Sequence, residues 1–158
     1  MWKVERERGG RFALVSLFVG VLLLGLTGMA RAGDGPEIMV YKSPTCGCCE
    51  DWMKHLKKAG FTVKFEDRDD MNVVRAWQGV PQRLGSCHTA IVEGYIIEGH
   101  VPAEDIKRLL KEKLPVVGLS APGMPQKSPG MQAGHKPPRD FDVLSFDAKG
   151  EIKLFKSY

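Results

Sequence analysis

The chain has 158 residues, with 23 Lys/Arg against 19 Asp/Glu and four cysteines. Five of the basic and two of the acidic residues fall within the first 32, so the remaining 126 residues are almost neutral, at 18 against 17. That balance excludes the basic footprint of a nucleic-acid-binding domain, and the length admits one small domain.

Residues 1–32 read as a secretory leader. Lys3, Arg6, Arg8 and Arg11 open it, Phe12 to Leu26 is almost unbroken apolar sequence, and Ala30-Arg31-Ala32 supplies a small-x-small cleavage pattern. An uncleaved anchor is the alternative, because Phe12 to Ala30 is 19 residues long. Cleavage leaves residues 33–158 with no membrane segment, outside the cytoplasm.

Ile38 to Tyr41 predicts a buried strand, and Cys48 to Ala59 a helix with Trp52, Leu56 and Ala59 on one stripe and Gly60 as its stop. Phe61 to Glu66 alternates, with Phe61, Val63 and Phe65 on one side. Asp69-Asp70 caps a short helix, Met71 to Trp77, and Gly79 to Ser86 is a loop. Thr89 to Val92 and Tyr95 to Glu98 flank Glu93-Gly94 as a hairpin. Ala103 to Lys113 is a third helix. Residues 115–140 form a Pro/Gly-rich loop carrying methionines, and residues 141–156 a closing hairpin. The fold class is α/β, a mixed central sheet with flanking helices; the cysteine turn at the start of the first helix makes the order thioredoxin-like.

Cys46, Cys48 and Cys49 crowd into one turn, where they close no useful loop as structural disulfides. A helix N-terminus instead favours their thiolates, which exchange disulfides and bind soft metals. Cys46 and Cys49, three apart, form the redox spacing. Across from them, before the third strand, a thioredoxin-like fold carries a loop that usually holds proline and threonine. Here that loop reads Ser86-Cys87-His88-Thr89, with His88 in the proline's place and Cys87 before it. Four sulfurs then converge. Successive helical residues diverge by about 100°, so Cys48 and Cys49 suit bridging of several Cu(I) ions better than one closed tetrahedral ion.

Among other donors, His88 is the leading histidine. Met124 and Met131, in the long loop, are candidate soft ligands, while Met39, Met53 and Met71 lie on core elements. His100 and His135 read as solvent-facing or supporting residues, His55 as a surface residue, and Trp52 and Trp77 as core.

The segments Lys42-Ser43-Pro44-Thr45-Cys46-Gly47-Cys48-Cys49, Gly85-Ser86-Cys87-His88-Thr89, Glu98-Gly99-His100-Val101-Pro102, Gly118-Leu119, Pro122-Gly123-Met124-Pro125 and Ser128-Pro129-Gly130-Met131 resemble the periplasmic copper-resistance protein CopG family, from residue 38 to residue 157. (The transcriptional repressor of the same name is unrelated.) The resemblance implies a thioredoxin-like fold with a copper cluster bridged by Cys46, Cys48, Cys49 and Cys87, and by position His88, Met124 and Met131 as further ligands. It also implies interconversion of Cu(I) and Cu(II), and copper-efflux or copper-resistance proteins of the periplasm as partners.

The expected function is therefore a periplasmic protein that sequesters, transfers or oxidises Cu(I), either a metal-binding chaperone or a copper oxidoreductase. A metal-free thiol–disulfide oxidoreductase using Cys46 and Cys49 is the alternative from another class. A zinc or iron–sulfur protein is a third.

Overall fold

The computed structural model describes residues 35–134 and 136–158, so the leader expected over 1–32 and the histidine at 135 lie outside the described residues. Seven strands form one mixed sheet in the order β2-β1-β3-β4-β5-β6-β7. β1 (Glu37–Lys42) and β2 (Thr62–Asp67) are parallel, as a right-handed β-α-β unit requires, with α1 (Gly47–Lys58) between them. β3 (His88–Val92) runs antiparallel to β1 and forms a hairpin with β4 (Tyr95–Gly99). This four-stranded unit is the thioredoxin-like core. Its hairpin turns through Glu93 and Gly94, both at positive φ, the conformation that matches strand twist.

Both faces of the sheet are covered, and the alternation within β4 sorts them. Ile97 joins a cluster with Trp52, Met53 and Leu56 of α1 and Ile106 and Leu109 of α3 (Ala103–Glu112). Ile96 points the other way, into a smaller cluster with Val80, Leu84 and Phe146.

Local chemistry fixes the helix ends. Asp70 accepts hydrogen bonds from the amides of Asn72 and Val73 and so starts α2 (Met71–Trp77). At the end of α1, Gly60 at φ 97° lets its amide reach Lys57 O while the Phe61 amide reaches Leu56 O, satisfying two terminal carbonyls.

Three expectations need correction. The stretch 115–140 is not loop throughout, because Gly118–Ala121 forms β5, parallel to β4. A Cβ on Gly118 would lie 1.9 Å from Ile96 O, so a residue that reads as a loop glycine is what lets this strand approach. β5 then receives the closing hairpin of β6 (Asp142–Phe146) and β7 (Ile152–Ser157) as a continuation of the sheet. Trp77 is not core but 76% exposed, since α2 buries Met71 and Val74 instead. Phe65, on the edge strand β2, is exposed. His55 is not a plain surface residue: its Nε2 accepts the Ala103 amide at 3.1 Å, supplying the cap that Pro102 cannot give α3.

Candidate metal centre

Cys46 is the N-cap residue of α1, and Cys48 and Cys49 follow in its first turn. Cys87 arrives on the segment before β3, which pairs with β1 so that His88 stands opposite Lys42. The four sulfur atoms lie within 4.8 Å of one another. Cys46 and Cys49 are joined as a disulfide, while Cys48 and Cys87 are free and half-buried. Cys48 does not splay away as its helical position alone suggests; its sulfur stays 3.6 Å from that of Cys46.

A second group shares Cys87. Its Sγ is 3.4 Å from His88 Nδ1 and 3.1 Å from His100 Nε2, and Cys49, Cys87, His88 and His100 again place one donor each within 4.8 Å. Both imidazoles are fully buried. The rings of Trp52, His88 and His100 follow in series, with centroids 4.2 and 4.9 Å apart. His88 Nε2 and His100 Nδ1 have no hydrogen-bond partner.

Of the two sequence readings of His100, solvent-facing or supporting, the first is wrong: the ring is fully buried. Gly99, the last residue of β4, lies at φ 72°, and a Cβ there would fall 2.4 Å from Ser86 Oγ. The signal available in sequence was a glycine between a buried strand and the histidine.

Burial sets the electrostatics. It pushes the Cys87 thiol up to about 12, with the charge of Cys48 adding to the effect. It holds His88 well below the ordinary imidazole range, with His100 reinforcing the shift. His100 is lowered to about 4, by burial first and His55 second. The metal-free pocket therefore favours neutral thiol and neutral imidazole, which are the protonation states from which metals displace protons or accept lone pairs.

Two residues not anticipated from sequence hold the Cys87 segment. Glu98 Oε1 accepts the Ser86 amide and Oε2 accepts the Thr89 hydroxyl, each at 2.6 Å. Arg75 donates to Ser86 O at 2.8 Å and lies 3.7 Å from Glu98. Together they clamp the residues on both sides of Cys87-His88. Burial raises Glu98 to about 7 despite these donors.

The methionine segments flank the centre. The Gly123 amide donates to Gly85 O, and Ser86 Oγ donates to Gly123 O, which brings the chain beside Cys87 just before Met124. Met124 is 57% exposed. Gly130 packs on the first turn of α1, where a Cβ would meet Cys48 O at 2.9 Å, and Met131 follows it half-buried.

A family model described as a protein of unknown function, DUF411, matches residues 84–131. That span holds Cys87, His88, His100, Met124 and Met131. Two solved structures titled copper resistance protein copG, form 2 and form 1, are each 41% identical to this chain. Form 2 gives a TM-score of 0.72 and covers 78% of this chain and 98% of its own; form 1 gives 0.71, 77% and 96%. No curated protein matches the chain.

Proposed function

From its membership of the CopG copper-resistance family, we propose that this chain is a periplasmic copper-binding protein holding several Cu(I) ions in a site bridged by Cys46, Cys48, Cys49 and Cys87. The observation that carries the reading is the convergence of four sulfurs from two separate segments within 4.8 Å. Sulfur donors select Cu(I) over harder cations. Charge argues for more than one ion: four thiolates around a single Cu(I) would leave a large net negative charge at a half-buried site, and each further Cu(I) offsets one.

Copper entry has two chemical requirements here. The Cys46–Cys49 disulfide must be reduced to two thiols, and the raised Cys87 thiol must surrender its proton to the incoming metal. His88 stands beside Cys87 as a neutral donor, and Met124 and Met131 offer thioethers for exchange at the rim. The leader over residues 1–32 delivers the protein to the periplasm, where copper-efflux and copper-resistance proteins are its partners. Cycling of the bound copper between Cu(I) and Cu(II) would make it a copper oxidoreductase; otherwise it sequesters or transfers the ion.

Competition with a Cu(I) chelator under anaerobic, reducing conditions tests this reading. The reduced protein should take up several Cu(I) ions, and Cys87→Ser should bind fewer. A ratio of one, or equal capacity in the variant, would contradict it.

One observation favours a second reading. Cys46 and Cys49 form a disulfide at the start of α1 in a thioredoxin-like fold, the arrangement of a thiol–disulfide oxidoreductase. Insulin reduction by the metal-free protein at rates comparable to a thioredoxin would support it. Inactivity would leave the copper reading alone.

A further inference from the structure

Closing the Cys46–Cys49 disulfide removes two of the four thiolates from the copper site but leaves Cys87 untouched. What remains around Cys87 is different chemistry. His88 Nδ1 and His100 Nε2 stand 3.4 and 3.1 Å from its sulfur, both within reach of a single potential proton donor. One thiol proton can serve only one of the two imidazoles. The nitrogens turned toward the sulfur are His88 Nδ1 and His100 Nε2; the far nitrogens, His88 Nε2 and His100 Nδ1, are buried without a hydrogen-bond partner, and a cation beside Cys87 would leave them so. Two fully buried imidazoles that each bring one nitrogen to the same sulfur form a donor set rather than an apolar packing pair.

We propose that Cys87, His88 and His100 form a second metal site, which operates when Cys46 and Cys49 are oxidised and takes one divalent transition-metal cation of borderline softness. One thiolate with two imidazoles is a donor set for such cations, whereas the reduced, all-sulfur set selects Cu(I). Cys49 Sγ lies within the same group, but as half of a disulfide it is no longer an anionic ligand. Cys48 is free and within 4.8 Å of Cys87, and it is available for a fourth position.

The two sites thus exchange through one redox step. A small-molecule or protein disulfide accepts two electrons from the Cys46 and Cys49 thiols. The bond between these two sulfurs forms, the partner's S–S bond breaks, and both protons leave on the partner's two thiols. The chain then moves from a thiolate-rich to an imidazole-rich ligand set around the one sulfur common to both. The inference shares Cys87, His88 and Cys48 with the copper reading, and differs from it in using His100, in taking one divalent cation in place of several Cu(I) ions, and in requiring Cys46 and Cys49 to be oxidised.

The test uses the protein oxidised with glutathione disulfide, its Cys46–Cys49 bond verified by peptide mapping, and titrated with Co(II) as a spectroscopic probe. The oxidised protein should bind one Co(II) per chain, with a thiolate-to-metal charge-transfer band and tetrahedral ligand-field bands. The Cys46→Ser/Cys49→Ser double variant should bind Co(II) equally without oxidant while losing capacity for Cu(I), which separates this site from the polynuclear one. Cys87→Ser and His100→Gln should each weaken Co(II) binding by about tenfold or more. A measurement on unsubstituted oxidised protein guards against misfolded variants: the imidazole NMR resonances of both His88 and His100 should shift on adding Zn(II). Absence of Co(II) binding by the oxidised protein, binding that survives Cys87→Ser, or imidazole resonances that stay in place would overturn the proposal.

Discussion

Glu98 Oε1 accepts a 2.6 Å hydrogen bond from the Ser86 amide, fixing the residue before Cys87 to β4, the middle strand of the seven-stranded sheet. Its other oxygen holds Thr89, the residue after His88. A single buried carboxyl on β4 therefore sets the register of both donors. Glu98 touches no metal donor through these bonds and acts by positioning.

Glu98→Ala should lower stability by about 1–3 kcal/mol, because it strands the Ser86 amide and Thr89 hydroxyl. It should also weaken metal binding by about tenfold. Glu98→Gln keeps an acceptor for Ser86 and offers a group to pair with Thr89, so it should restore most of both. Urea unfolding combined with Cu(I)-chelator competition reads the two effects separately. Loss of stability with unchanged copper affinity in Glu98→Ala would show that the clamp is structural only.

Gly99→Ala should be poorly tolerated and should displace His100. The residue sits at φ 72°, and an added Cβ would lie 2.4 Å from Ser86 Oγ and 2.6 Å from Ala121 O. Backbone strain of this kind costs about 1–3 kcal/mol before any clash is counted. Thermal unfolding, with the His100 imidazole resonance as a local probe, measures both consequences. An unshifted resonance in a folded variant would contradict the role assigned to this turn.

Elements marked by local chemistry were legible in the sequence, and those set by tertiary contact were not. Asp70 announced α2 because a cap is a property of neighbouring residues, and Glu93-Gly94 announced the β3–β4 turn for the same reason. β5 has four residues, Gly118–Ala121, too few to show a period, and two of them are poor strand formers. It exists because β4 and β6 offer it partners on both sides. The cysteine convergence was readable because the turn before a first helix and the loop before the third strand face each other in this fold. His100 was missed because its direction depends on one glycine torsion, and Glu98 because a single acid in a strand such as Tyr95–Gly99 reads as an edge residue rather than a buried clamp.

Copper capacity should follow the redox state of the thiols. If Cys46 and Cys49 bridge copper as proposed, their full oxidation to the disulfide takes away two thiolate ligands, so Cu(I) uptake should fall in air and return with reductant. Elemental analysis alongside thiol counting measures this. Unchanged Cu(I) capacity in fully disulfide-bonded protein would contradict the ligand assignment.

Away from the centre, Asp105 gives stability a specific pH dependence. Burial first, and the negative charge of Glu104 last, raise its carboxyl above the ordinary value of 3.8 against the lowering effects of Tyr158 and Lys156. The folded protein thus holds this proton more tightly than the unfolded chain does. The corresponding stability is fully present below 3.8 and is lost as pH rises through the raised folded value. Asp105→Asn retains an acceptor for the 2.7 Å hydrogen bond from Tyr158 and should flatten that part of the profile. Urea midpoints of both proteins across the acid range decide it; parallel profiles would rule Asp105 out as the source.

Copper X-ray absorption on the reduced, anaerobically loaded protein tests the polynuclear thiolate site most directly. The account predicts an all-sulfur or sulfur-dominated first shell together with copper–copper scattering, which bridging thiolates require. An isolated copper with no second copper in range, in protein loaded to saturation, would contradict it.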